Sequence, residues 1–363
     1  MSGHSDQNLV PSNKQQLRTA SAVDVKRRFR VVSKPALKRL FWLAALMALV
    51  LGWGWWEMIR MPGRTFSGEL PALSETQREI ATNAKRHVEV LASAIGYRST
   101  FHPKQLAHTA MYLKGELQAL GYEVRDHSFP SRGSPAPNLE AVLTGSSSPN
   151  DIVVVGAHFD SFQGTPGADD NASGVAGVLA LAKLFANTPQ QRTIRFVLFP
   201  NEEPPAFQQA DMGSLVYAMA CRAANDQIIA MLSLETIGYF KDEPGSQKYP
   251  FPMGLLYPTR GDFIGFVSNF SNRALVKRSI ATFRKTASFP SEGAALPEGI
   301  PGIGWSDHWA FWQAGYPALM ISDTALFRNP NYHTANDKPD TLDYERMARV
   351  IEGVAAIVKD LAN

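Results

Sequence analysis

Acids and histidines stand at the ends of apolar runs in this chain, where burying a charge is costly unless something pairs with it. The run 152–157 leads directly into His158-Phe159-Asp160. Asp170 follows His158 by twelve residues, inside Asp169-Asp170-Asn171-Ala172-Ser173-Gly174. A second strand-like run, 193–199, ends in Asn201-Glu202-Glu203-Pro204-Pro205, and a third, 228–234, ends in Glu235. His333 lies in Asn329-Pro330-Asn331-Tyr332-His333-Thr334, and Asp307 in Ser306-Asp307-His308. Each group has an ordinary reading. His158 and His333 taken alone read as structural or loop histidines, Asp169 or Asp170 as a helix N-cap, and Glu202-Glu203 as a solvated turn. Capping needs one acid, however, and Glu235 ends too apolar a run for a solvated reading.

Two histidines and several carboxylates, with no cysteine among them, suit Zn2+, or Mn2+ or Co2+, in an open catalytic site. The surplus of carboxylates points to two ions about 3.5–4 Å apart that share one bridging carboxylate. A zinc-bound imidazole needs its second ring N–H held, and Asp160 stands two residues from His158. Adjacent carboxylates at Glu202 and Glu203 divide labour, one binding metal and the other moving protons. The single cysteine, Cys221, reads as a small core residue and excludes an internal disulfide.

The elements that must position these residues follow from periodicity. Ile80, Ala84, Val88, Leu91 and Ile95 recur at helical spacing, and a second helix covers 103–120 up to Gly121. Strands are predicted at 122–129, 139–143, 152–157, 193–199, 228–234 and 317–321, and helices at 172–185, 213–223 and 342–361. Alternating strands and helices imply an α/β fold with a mixed, mostly parallel sheet covered by helices on both faces. Ligands of such sheets bind beyond the carboxyl ends of the strands. The stretch 240–304, rich in Pro and Gly, is expected to fold over those ends as a substrate-shaping insertion with a helical patch at 263–284.

Ahead of this domain lies a different composition. A polar start is followed by a basic run with Lys26, Arg27, Arg28, Arg30, Lys34, Lys38 and Arg39. Residues 40–56 then carry no charge and end in Trp53, Trp55 and Trp56. A span needs about 20 apolar residues, and tryptophans favour the lipid–water boundary. The expectation is a basic cytoplasmic tail at 1–38, a membrane anchor at 39–59, a linker at 60–74 and the folded domain at 75–363. The basic flank keeps the N-terminus inside and puts the domain in the periplasm or outside the cell. Bulky Trp rather than small residues at the end of the run speaks against a cleaved leader. The net charge of +3 resides mostly in the tail, which excludes a nucleic-acid-binding surface on the domain.

The ordered set His-x-Asp, Asp-Asp-Asn-x-Ser-Gly, Asn-Glu-Glu, Ser-Leu-Glu-Thr-Ile-Gly, Ser-Asp-His and Tyr-His-Thr resembles the di-zinc aminopeptidases of metallopeptidase family twenty-eight, the bacterial leucine-type aminopeptidases. The resemblance covers residues 75–363. It implies a phosphorylase/hydrolase-like fold and removal of N-terminal residues from peptides through metal-activated water. It further implies that His158 and Glu235 bind one zinc, Glu203 and His333 the other, and that Asp170 bridges them. Glu202 would then be the general base, Asp160 would orient His158, and Tyr332 and Asp307 would support the substrate or the proton path. Many relatives carry Asp where Glu235 stands. Two rivals share the fold: a glutaminyl cyclase-like transferase, which uses one zinc and lacks the His158-type ligand, and a non-catalytic ectodomain, which loses ligands.

Overall fold

The computed structural model describes residues 33–131 and 136–363. Lys26, Arg27, Arg28 and Arg30 of the basic run lie outside the described residues. The chain forms two compact units, Met1–Leu51 and Gly52–Asn363. In the first, the described residues belong to helix α1 (Lys34–Met58), which has no buried residue. It is long and apolar enough to cross a membrane.

The second unit holds the remaining elements. They are α2 (Glu75–Glu89), α3 (Pro103–Ala119), β1 (Val124–His127), β2 (Asn138–Leu143), β3 (Ser148–His158), α4 (Gly174–Phe185), β4 (Arg192–Phe199), α5 (Gly213–Ala223) and β5 (Gln227–Glu235). Then follow β6 (Ile264–Asn269), α6 (Arg273–Thr286), β7 (Ser291–Leu296), α7 (His308–Gln313), β8 (Ala318–Ser322), α8 (Ala325–Arg328) and α9 (Tyr344–Ala362). The domain begins with a capping box. The Ser74 hydroxyl accepts from the Gln77 N–H, and the Gln77 side chain accepts in return from the Ser74 N–H, each at 3.0 Å. From that start Ile80, Ala84 and Val88 are buried on one face of α2, which packs on α4 and α9.

The eight strands form one mixed sheet in the order β1-β2-β4-β3-β5-β8-β6-β7. The central neighbours β4, β3, β5 and β8 are parallel. Antiparallel pairing joins β1 to β2, β2 to β4 and β6 to β8. Side chains alternate between the two faces, as the two-residue strand period requires. Val153, Val155 and Ala157 join the core under α2, α4 and α9. Ile152 and Val154 join a second core that includes Tyr217 of α5 and Phe311 of α7. Buried on both faces, these strands read as unbroken apolar runs.

The stretch 240–304 departs from expectation. Its middle is not an insertion over the strand ends but part of the sheet, as β6, α6 and β7, and the helix begins at Arg273 rather than 263. The six residues Ile264-Gly265-Phe266-Val267-Ser268-Asn269 carry only three apolar side chains, too short a pattern to tell strand from helix. Residues 60–74 are fastened to the domain surface. Thr65 Oγ1 accepts from the Ser291 N–H at 2.8 Å, Arg284 donates to the Pro62 carbonyl at 3.2 Å, and Arg349 donates to the Pro71 carbonyl.

Candidate metal centre

Three parallel strands deliver the acids and one histidine. β3 ends on His158, β5 ends on Glu235, and the turn after β4 carries Glu202 and Glu203. The segment before α4 brings Asp170, and the loop after α8 brings His333. Their meeting point is beyond the carboxyl ends of the strands, as this topology favours.

His158 is buried, with Nε2 at 3.2 Å from Glu235 Oε2 and 3.4 Å from Asp170 Oδ1. The other oxygen of Asp170, Oδ2, lies 3.0 Å from His333 Nε2, and Glu203 Oε1 lies 3.5 Å from that same nitrogen. Two groupings result, His158–Asp170–Glu235 and Asp170–Glu203–His333, each with one donor atom per residue and all donors within 4.8 Å of one another. Asp170 belongs to both, one oxygen to each. Glu202 belongs to neither, although its Oε2 is 3.9 Å from His158 Nε2.

A cation fits this arrangement. Asp170 Oδ2, Glu203 Oε1 and His333 Nε2 are buried with no hydrogen-bond partner, and they are the three donors of the second grouping. Folded proteins leave few such atoms unsatisfied. The charge balance agrees. Burial pushes the carboxyls of Glu202 and Glu235 above the ordinary range and that of Glu203, beside Asp170, up to about 8. Burial opposes a charge on His158, but the Glu235 and Glu202 carboxylates outweigh it and raise the imidazole. For His333 the carboxylates of Asp170 and Glu203 likewise overcome burial and lift it to about 10. Asp170 is buried too, yet His158 and His333 hold it below the ordinary carboxylate range. Packed acids of this kind attract a divalent ion, and the mixture of imidazole and carboxylate is one that zinc accepts.

The backbone around the donors is held tightly. Asp160 lies 3.4 Å from His158 Nδ1, and its two oxygens accept from the N–H groups of Glu202 at 3.0 Å and Glu203 at 3.1 Å. The Asp337 carboxylate accepts from the N–H groups of Asp169 and Asp170. Asn171 Oδ1 accepts from Gly174 and Thr236, while its Nδ2 donates to the Leu234 carbonyl. Glycine is required at 174 because a Cβ there would stand 2.3 Å from the Leu234 carbonyl oxygen. Buried Arg98 donates to the carbonyls of Leu91, Gly96, Phe159, Pro166 and Gly167, tying the β3 turn to the loop that leads to Asp170. Asn201, Thr236 and His333 all have positive φ, a strained conformation for such residues that tends to gather at functional sites.

Tyr332 and Asp307 fall outside both groupings. The Tyr332 ring stacks on His333 at 3.9 Å, and Phe162 covers the opposite face at 4.0 Å. Asp307 is fully buried at the start of α7, and burial, with Glu235 and Asp160 adding to it against the pull of His158, pushes it up to about 7. His308 is a structural residue whose Nε2–H donates to the Ile303 carbonyl at 2.7 Å. Residues that the sequence reading passed over are Phe162, Asn171, Ser306, Asp337 and Arg98. Ser306 donates to Glu235 Oε2 at 2.7 Å. Asn171 and Ser306 stand inside motifs already singled out, so their position was a signal; Arg98 and Asp337 act across long sequence separations and had none.

Beside Glu235 and Tyr332 opens a pocket. Phe263, Val267, Leu296 and Met320 give it an apolar wall, and no lysine or arginine is among the described residues that line it.

Comparison with known proteins agrees with the fold. The model of Peptidase family M28 matches residues 138–358, a segment that spans His158 through His333. YfbL, an uncharacterised protein of Escherichia coli K12, is 36% identical over 297 residues, covering 79% of this chain and 90% of its own length. A probable leucine aminopeptidase of Arthroderma otae is 28% identical over 261 residues, 68% of this chain and 62% of that one. The structure of BSAP, a zinc aminopeptidase from Bacillus subtilis, superposes with a TM-score of 0.60 at 16% identity, covering 77% of this chain and 94% of that one. With the match running through every strand that delivers a donor, the chain belongs to Peptidase family M28.

Proposed function

We propose that this protein is a membrane-anchored aminopeptidase that holds two zinc ions, one among His158, Asp170 and Glu235 and one among Asp170, Glu203 and His333. The observation that carries the reading is the Asp170 carboxylate, which offers Oδ1 to one grouping and Oδ2 to the other. Bound zinc would supply Lewis-acid stabilisation of negative charge and lower the pKa of water. The protein supplies the rest. Glu202, close to the donors but outside both groupings, takes the proton from the attacking water and returns it to the leaving amine. The Tyr332 hydroxyl donates to the developing oxyanion. Asp160 fixes the turn that carries Glu202 and Glu203 by accepting both N–H groups, and Asp307 provides a buried acid behind the site.

A free amine rather than a free carboxylate suits the surroundings. Buried acids crowd the centre, and among the described residues the adjoining pocket has no cationic lining to receive a carboxylate. The apolar wall suits a large apolar side chain at the cleaved position. Two donor groupings, one of them containing His158, favour hydrolysis over a one-zinc cyclase reaction. Helix α1 supports a single crossing with residues 39–59 in the bilayer and the domain outside the cytoplasm.

The test is to purify the full chain in detergent, measure its metal by elemental analysis, and follow cleavage of leucyl peptides with free and acetylated amines. Two ions per chain and cleavage of the free-amine peptide alone are expected. Equal cleavage of the acetylated peptide would overturn the aminopeptidase reading. A reporter fused after Asn363 that is active in the cytoplasm would overturn the topology.

A further inference from the structure

One turn of the 240–304 stretch puts its apolar residues outward. Phe251 is 92% exposed, Leu255 79% and Leu256 47%. Single exposed apolar residues are ordinary on a surface, but three within six residues make an apolar tip. The same turn also has an inner side. Met253 and Tyr257 pack with Ala294, Leu296 and Ile303 in a small core of their own. Met58 and Ile59, at the end of α1, pack on that same core. The exposed tip and the end of α1 thus flank one cluster.

The end of α1 is fixed where it is. Glu57 accepts from Arg273 Nε and Lys277 Nζ of α6, each at 3.2 Å. The Trp53 ring meets Phe270 edge to face at 5.9 Å. Tryptophans at 53, 55 and 56 place this end of α1 at a lipid–water boundary. Lys248 and Arg260, both exposed, stand on either side of the apolar tip and complement anionic headgroups.

We propose that residues 251–256 form a second contact with the bilayer, entering the headgroup region beside the anchor. The proposal rests on the anchor reading given above. It has a consequence for the site, because Met253 of this segment, and Tyr249 and Tyr257 that flank it, also line the apolar pocket next to Glu235. A contact there opens the pocket at the lipid surface, where peptides with apolar ends are held.

The test uses the full chain in vesicles of phosphatidylethanolamine and phosphatidylglycerol that contain nitroxide lipids labelled both near the headgroup and along the acyl chain. A polarity-sensitive fluorophore is attached at Leu255→Cys or Leu256→Cys, at Met47→Cys within α1, and at Met111→Cys on α3. The native Cys221 is buried, and burial pushes its thiol up to about 12, so it takes no label. Met111 is exposed on a helix that packs by β1 and β2, at the sheet edge opposite β7 and roughly 34 Å away at ~4.8 Å per strand. Each labelled protein should turn over a soluble leucyl substrate as the unlabelled one does, since none of these positions touches the site. Quenching at 255 and 256 should approach that at 47 and exceed that at 111 severalfold. If 47 is quenched while 255 and 256 behave like 111, the second contact is wrong and the anchor stands. If 47 is not quenched either, the anchor reading fails and takes the proposal with it.

Discussion

Glu140 and Glu203 are both buried glutamates near neighbouring strands of one sheet, and their surroundings drive them in opposite directions. Glu140, on β2, is pushed up by burial, but His127, the Tyr217 hydroxyl at 2.5 Å and the charge of Arg195 outweigh that and hold it below the ordinary range. Arg125 approaches it as well, at 3.6 Å. Among the described residues, no lysine or arginine forms an ion pair with Glu203. Burial and Asp170 raise it to about 8, against the pull of His333 and His158. A buried acid with its own cations and donors is part of the scaffold. One left among other acids, with an orphaned oxygen, marks where a foreign cation is to sit.

The comparison is broken most directly at Glu202, the acid that lies outside both groupings. Glu202→Gln should keep its metal and fold while kcat falls about 10²–10⁴-fold or more, with KM little changed. Near-normal turnover with intact metal would assign the proton to another group, Asp307 or Asp169 first. Glu203→Ala and His333→Ala should act on the metal itself, each lowering the content from about two ions towards one by elemental analysis. Retention of two tightly bound ions in both variants would contradict the grouping. A smaller effect is expected where recognition, not charge, is at stake. Val267→Trp, in the apolar wall, should lower kcat/KM for leucyl over alanyl substrates by roughly 10–100-fold; an unchanged ratio would place the side-chain pocket elsewhere.

The smallest effect belongs to Glu140. A carboxyl held below its ordinary value, 4.5 for glutamate, stabilises the fold above that value and loses its contribution as pH falls through the folded pKa. Melting temperatures of the wild type should therefore drop more steeply between about pH 5 and 3 than those of Glu140→Gln. Parallel curves would show that Glu140 is not the balanced acid described here. The same change should leave metal content untouched.

The contrast also explains what could be read from the sequence. The central strands were legible because burial on both faces leaves unbroken apolar runs, and their ends were legible because an acid at the end of such a run needs a reason. The apolar wall of the pocket was not, since Phe263, Val267 and Met320 have the same composition whether they face a substrate or a core. β6 and β7 escaped for a related reason: their short apolar runs lack a period, and their place beside β8 is decided by long-range pairing. Arg98 was invisible because its value lies in five backbone carbonyls that only the fold assembles.

His333 lies face to face between Phe162 and Tyr332, with a positive φ of 56° in its own backbone. An imidazole clamped in this way cannot turn about its side-chain bonds unless a ring moves aside. Its nitrogen is therefore aimed before an ion arrives, so little rotational freedom is lost on binding. The same clamp resists the swing by which a ligand lets go, so under the two-zinc reading release of an ion held there would be slow relative to an unstacked histidine. Exchange of that metal would then be gated by the opening of an aromatic stack, and its rate would follow the packing of Phe162 as much as the chemistry of the donors.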